Sequence, residues 1–317
     1  MNKLFDVIVV GELNIDMILN RIEGLPEIGK EKISGDMEMT LGSSSAIFAS
    51  NISSLGAKVT FFGKIGADSL GDFVIQSLKT NQVDTSLIIK DAKLKTGVTV
   101  ALNYNEDRAM VTYPGAMEAL TLDDISDDDL KKARHLHVSS VFLQTGLKKD
   151  VGELFKKAKN LGLTTSLDTQ WDPDEKWDLN LSEILPYVDV FLPNEAELLN
   201  LTHQPDISKG LNELQEYASL TVVKMGSQGS LSHSKENKIL VEAFSNQNVI
   251  DAIGAGDSFN AGFIYKYLQS ESVRECQKFG NLIGAISTTA PGGTTAFQKS
   301  NNWKKTAIEK FDFKIND

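Results

Sequence analysis

The run Phe5 to Gly11, FDVIVVG, is apolar at nearly every position, and it restricts the fold more than any other stretch. A strand with one face in water alternates apolar and polar residues. A strand without that alternation is buried on both faces, as in parallel sheets covered by helices on either side. Further strand signals follow at Lys58 to Gly63, near Ile88, in HLHVSS, in LTTSLDT ending at Asp168, in VDVFLP reaching Pro193, and in TVVKMGSQGSLSH with its glycine turn.

Helical patterns alternate with these strands. GSSSAIFASNISSLG (Gly42 to Gly56) begins Ser-rich and continues small and apolar, and further helices run through Gln76 and Ser77, from Asp150 to Asn160, and onward from Asn194, Glu195 and Glu197. Repeated strand and helix predict an α/β fold with a central, mostly parallel sheet flanked by helices. Two stretches depart from the pattern. LPEIGKEKISGDMEM suggests short exposed strands, and Gly97 to Tyr104 with Arg108 to Tyr113 alternate as a hairpin around Asn105, Glu106 and Asp107. They predict a small β-sheet lid from segments of roughly 13–40 and 95–115. With no internal repeat or low-complexity linker, residues 1–317 read as a single domain carrying that lid.

The chain carries a formal charge of −11 without clustered Lys or Arg, which argues against a nucleic-acid partner. No run is long enough for a membrane span and the N-terminal apolar run is too short for a signal peptide, so a cytoplasmic protein is expected. The single cysteine, Cys276, offers no disulfide and reads as a core thiol. His135, His137, His203 and His233 lack zinc spacing and read as structural.

Chemistry is expected at DAIGAGDSFNAGF, Asp251 to Phe263. Gly254, Ala255 and Gly256 leave a helix N-terminus open to close approach, and first-turn N–H groups without intrahelical partners attract anions such as phosphate. Asp257 stands beside that anion site as a candidate general base, although a helix cap on a tight turn would use the same residues. Phe259, Phe263, Ile264, Tyr267 and Leu268 recur at helical spacing and predict the buried face of the helix that follows. Asn14 and Asp16 lie just past the carboxyl end of the first strand, where open α/β sheets place ligands, although a turn or an edge strand would use the same residues. Ser43 to Ser45 either cap their helix or meet a hydroxylated ligand.

No Walker loop, dinucleotide-binding glycine fingerprint, protein-kinase glycine loop or GxSxG elbow is present. Taken in order over nearly the whole chain, the stretches above resemble the ribokinase family, the PfkB-type carbohydrate kinases. DAIGAGDSFNAGF is similar to the family's C-terminal signature, which implies an anion hole at Gly254, Ala255 and Gly256 and a catalytic base at Asp257. PNEAEL resembles the NxxE element, implying that Asn194 and Glu197 position magnesium and phosphate. VVKMGSQG carries Lys224, Gly226 and Gly229 over as ATP contacts. FGNLIGAISTTAPGG resembles the segment closing the adenine pocket, with Asn281 at its polar position. GELNIDMILN resembles the sugar-binding start, which puts Asn14 and Asp16 on substrate hydroxyls. The resemblance further implies potassium beside the anion hole, with Asp251 as its side-chain ligand.

Two departures bear on the substrate. The N-terminal signature usually opens with paired glycines and has an Asn five residues after the first, whereas here Gly42 is followed by Ser43 and Ile47 stands in place of the Asn. Relatives acting on acidic keto-sugars often carry an Arg in a DPNxR-like stretch, whereas DTQWDPDEKW has Asp172 near that position. Arg108 is a candidate substrate contact from the lid. The expected activity is ATP-dependent phosphorylation of a hydroxymethyl group on a small fructose- or ribose-like carbohydrate. The alternatives are a nucleoside kinase, with Ile47 against the base, and a non-catalytic sugar- or nucleotide-binding regulator. An exposed lid sheet would suit a homodimer.

Overall fold

The computed structural model describes residues 3–104, 107–298 and 301–314, with the side chains of Asp107 and Arg108 outside the description. Its strands, in chain order, are β1 (Phe5–Val10), β2 (Asn14–Ile22), β3 (Ser34–Leu41), β4 (Val59–Gly66), β5 (Asp84–Asp91), β6 (Gly97–Tyr104) and β7 (Asp107–Tyr113), then β8 (Ala133–Ser139), β9 (Thr164–Asp168), β10 (Val190–Phe191), β11 (Thr221–Lys224), β12 (Ser230–His233) and β13 (Lys238–Val241). Nine of them form the main sheet in the order β13-β12-β11-β10-β9-β8-β1-β4-β5.

β1 lies between β4 and β8 and is parallel to both, the environment that a run without alternation requires. Its successive side chains separate into two cores. Val7 and Val9 pack with Phe48, Phe61, Phe263 and Ile264 on one face. Ile8 and Val10 pack with Leu136, Val138, Leu154 and Phe155 on the other. Each fully buried side chain of this kind contributes about 1.5–3 kcal/mol relative to exposure. The Ala255–Leu268 helix buries Phe259, Phe263 and Ile264, the face read from its spacing, and leaves Tyr267 and Leu268 partly buried.

The far edge differs from the parallel pattern. β12 is antiparallel to both its neighbours, β11 and β13, and β13, a short partly exposed strand, had no sequence signal. Gly229 permits the turn into this edge. Its φ is +93°, and a Cβ there would lie 2.1 Å from the carbonyl oxygen of Val241.

The second sheet has the order β3-β2-β6-β7, and its segments coincide with the two lid stretches. β2 runs parallel to β6 and antiparallel to β3. Residues 25–33, expected to hold part of an exposed strand, lie outside any strand. Asn105 and Glu106, expected in the hairpin turn, lie outside the described residues, while Asp107 opens β7.

A polar line crosses the sheet interior between β8 and β9. His135 Nδ1 meets Thr164 Oγ1 and its Nε2 meets Ser166 Oγ, each at 2.8 Å. Ser166 Oγ also meets His137 Nδ1, and His137 Nε2 meets Ser139 Oγ, each at 2.7 Å. Both rings are fully buried, and these bonds satisfy them as neutral imidazoles, in agreement with a structural role. Burial pushes His135 down to about 3 and His137 well below the usual histidine range.

Candidate active site

Gly254 caps the Ala255–Leu268 helix in left-handed conformation, with φ 71° and ψ 8°. A Cβ there would stand 2.6 Å from Gly293 Cα and 3.1 Å from Ile47 Cγ2, so three segments meet around a hydrogen. The N–H of Ala255 turns back to Ala252 O at 3.2 Å rather than pointing outward with its neighbours. The first-turn amides of Gly256 and Asp257 remain at the helix mouth, where the peptide dipoles favour an anion.

Asp257 is buried at that mouth beside a charged cluster. Asp168, at the carboxyl end of β9, places Oδ2 within hydrogen-bond reach of three donors: Lys224 Nζ at 2.8 Å, Gln170 Nε2 at 2.9 Å, and Asn260 Nδ2. Gln170 Nε2 also donates to Asp257 Oδ1 at 2.8 Å. Burial pushes the Asp257 carboxyl well above the usual carboxylate range, with Asp168, Glu12 and Glu197 adding to the shift and Lys224 opposing it. Burial opposes the charge on Lys224, but Asp168 and Glu197 hold its ammonium above the usual lysine value.

Asn194 and Glu197 begin the Glu195–Thr202 helix as a reciprocal capping box. Asn194 Nδ2 donates to Glu197 Oε1 at 2.7 Å, and the Glu197 N–H donates to Asn194 Oδ1 at 2.8 Å. Burial, then Asp168, pushes Glu197 up to about 7. Among the described residues no group of three or more His, Cys, Asp or Glu could enclose a metal ion. Asp251 clamps two loops, its Oδ1 accepting from Ile253 N at 2.9 Å and its Oδ2 from Gly292 N at 2.8 Å.

Two cavities meet at this helix mouth. The one on the β11 side, about 390 Å³, is lined by Lys224, Gly226, Gly229, Gly256 and Asn281, with Phe244, Val249 and Phe259 supplying apolar wall. Asn281 Nδ2 is engaged with the carbonyls of Val241 and Glu242, at 3.1 and 3.0 Å. The other cavity, about 220 Å³, is lined by Asp16, Ser43, Ile47, Thr99, Gln170, Gly254 and Asp257, with Ile18, Ala101 and Met110 reaching it from the lid. A larger depression of about 680 Å³ around Lys148, Glu153 and Tyr187 shares no residue with either.

Asn14 does not line the smaller cavity. Its Nδ2 donates to Asp16 Oδ1 and Thr99 Oγ1, each at 3.0 Å, and so orients two groups that do. Gly42 leaves room for that contact, since a Cβ would stand 2.3 Å from Asp16 Oδ1. Ser43 is a helix cap at φ 72°: its Oγ accepts from Ala46 N at 2.9 Å and donates to Glu12 O at 2.7 Å. Ile47 is buried against Gly254 and Gly293 and turns an apolar surface to the cavity. Arg108 pairs with Asn103 in the lid backbone, two residues along β7 from Met110, and its side chain lies outside the described residues. Asp172 is turned into its own loop, accepting from the backbone N–H groups of Asp174, Lys176 and Trp177.

Sequence reasoning missed Gln170, Asn260 and Thr99 as parts of the site. Gln170 and Asp257 stand 87 positions apart, and no local pattern announces their contact.

The layered main sheet, the small second sheet and a cleft with a helix mouth at its floor define a lidded α/β fold. Residues 4–300 match the sequence pattern of the pfkB family carbohydrate kinases, and the chain belongs to that family. It is 27% identical over 302 residues to the 2-dehydro-3-deoxygluconokinase of Bacillus subtilis, covering 90% of each chain. It is likewise 27% identical over 298 residues to the ribokinase of Staphylococcus aureus, covering 90% of this chain and 94% of that one. The structure of Arabidopsis thaliana ribokinase complexed with ribose and ATP superposes with a TM-score of 0.86 at 23% identity, over 98% of this chain and 99% of that one. The protein is a sugar kinase of the ribokinase fold, with the small second sheet as its lid. Among the described residues no helix is long and apolar enough to cross a membrane.

Proposed function

We propose that the chain transfers the γ-phosphoryl group of ATP to a hydroxymethyl group of a small neutral sugar, fructose- or ribose-like. The observation that carries this reading is the 220 Å³ cavity in which Asp16, Thr99, Gln170 and Asp257 face one space. These groups suit hydroxyls, and no Lys or Arg is among the described side chains lining the space. The Asp172 carboxylate, near the position where relatives acting on acidic keto-sugars carry an Arg, argues against an acid of that kind. A nucleoside is the second reading, favoured by the apolar surfaces of Ile18, Ile47 and Met110. The four polar groups around the space favour the free sugar.

The larger cavity fits a nucleotide. Its apolar wall suits a purine, Gly226 and Gly229 let backbone approach closely, and Lys224 with the Gly256 amide stands where phosphates would run. Magnesium, when bound with ATP, would neutralise charge on the transferring phosphoryl group. Asn194 and Glu197 would meet its waters rather than the ion, since each is engaged by the other. Potassium at Asp251 would share oxygens already accepting from backbone amides. Asp257 accepts the acceptor's hydroxyl proton, the helix mouth holds the transferring group, and the lid side chains exclude water. A base so placed contributes about 10²- to 10⁴-fold.

The supply of ATP and a single buried thiol, Cys276, fit a cytoplasmic setting. Exposed Met37, Met39, Val111 and Tyr113 on the lid strands support a homodimer through that sheet. The test is ADP release with magnesium and ATP against neutral pentoses and hexoses, nucleosides and aldonate-type acids. Turnover confined to a neutral sugar supports the reading. Turnover on an acid or a nucleoside replaces it, and ATP binding with no turnover on any of them favours a regulator.

A further inference from the structure

Gln170 adopts φ 59°, a left-handed conformation that a non-glycine residue holds at a cost of about 1–3 kcal/mol. The geometry it secures is a fork. One carboxamide nitrogen lies 2.9 Å from Asp168 Oδ2 and 2.8 Å from Asp257 Oδ1, so its two hydrogens serve two carboxylates. The amide orientation follows from the network, because the reverse would set its carbonyl oxygen against both acids. Asp168 is itself anchored by Lys224 and Asn260, which gives the fork a fixed end.

We propose that Gln170 is the positioning residue of the base, tying Asp257 Oδ1 to the anchored Asp168 and so presenting the other carboxylate oxygen to the acceptor hydroxyl. This rests on the reading of Asp257 as general base. A carboxylate accepting a hydrogen bond is favoured in its charged form, so the fork also keeps Asp257 competent to take a proton. The other charged groups around Asp257 are Asp168 at the end of β9, Lys224 at the end of β11, Glu12 after β1 and Glu197 on the Glu195–Thr202 helix. Asp168, Glu12 and Glu197 oppose its ionisation, and Lys224 favours it. Gln170 is the neutral donor that offsets the acids at contact distance.

The experiment follows the ¹³C titration of the Asp257 carboxyl, assigned with D257N, in the unmodified protein, in Q170L and in Q170N. Q170N suits left-handed backbone better but is one methylene too short to span both acids. Both variants should raise the Asp257 midpoint by about one unit, a tenfold shift in the ionisation equilibrium. Both should shift the acidic limb of the pH profile upward by that unit, lower kcat on that limb about tenfold, and leave KM for ATP within about twofold. A merely structural loop residue would move none of the titration, and an unmoved midpoint with kcat intact overturns the proposal. Full turnover of D257N would instead remove the base itself, a failure distinct from an unmoved midpoint.

Discussion

Lys224 Nζ stands 2.8 Å from Asp168 Oδ2, and the aspartate is wholly buried. The pair links the last residue of β11 to the last residue of β9, across the short strand β10. Removing one partner of a buried pair strands the other's charge, which costs about 3–5 kcal/mol. Lys224→Met should therefore lower the unfolding free energy by that order in urea titration. It should also raise KM for ATP, because the same ammonium lines the larger cavity.

Asp257 should impose a pH dependence displaced from that of an ordinary carboxylate. Burial and the neighbouring acids raise its pKa, so the protonated form persists to higher pH. The base is active only when ionised, and kcat/KM should fall with decreasing pH around a midpoint well above 3.8, the usual aspartate value. The measurement is a pH profile under limiting sugar, with an acidic midpoint near 4 as the opposing result.

The buried histidines should make the fold acid-labile. His135 falls from 6.5 to about 3 on folding, so below 6.5 the unfolded chain takes a proton that the native ring refuses. Stability from this group is complete above 6.5 and is lost as pH falls toward 3, by up to about 1.4 kcal/mol per pH unit. The raised carboxyls of Glu12, Asp257 and Glu197 act in the opposite sense, gaining stability as they protonate. Comparison with His135→Gln isolates the histidine. Between pH 6 and 5 the slope of stability against pH should drop by about that amount in the variant.

Gly254 should tolerate no side chain. Its φ is +71° and a Cβ would stand 2.6 Å from Gly293 Cα, a backbone atom with no rotamer to yield. Gly254→Ala should destabilise the protein by more than about 1 kcal/mol and displace the helix mouth. Thermal melting and nucleotide titration would register both effects.

The parallel core was legible because β1 has no polar face to misplace, and the second lid segment because it alternates. The helix mouth was legible in GAGD, although a cap on a tight turn uses the same residues and only the rest of the chain weighed against it. β13 was not, because a four-residue, half-exposed edge strand carries little pattern. The sequence showed Asn14 as a candidate sugar contact but not its bond to Thr99, which lies on a strand 85 positions away. Ala255 was expected to point its amide outward, but the tight turn at Gly254 directs it to Ala252 O. Gln170 carried no signal at all, because its meaning lies in two acids that only folding brings together.

The most direct test of Asp257 as general base is the steady-state rate of sugar-dependent ADP formation by Asp257→Asn. The amide keeps the shape of the side chain and cannot accept the hydroxyl proton as a base. A fall in kcat of about 10²- to 10⁴-fold with nucleotide affinity retained is the predicted result. Turnover within a few-fold of the unmodified enzyme would contradict it.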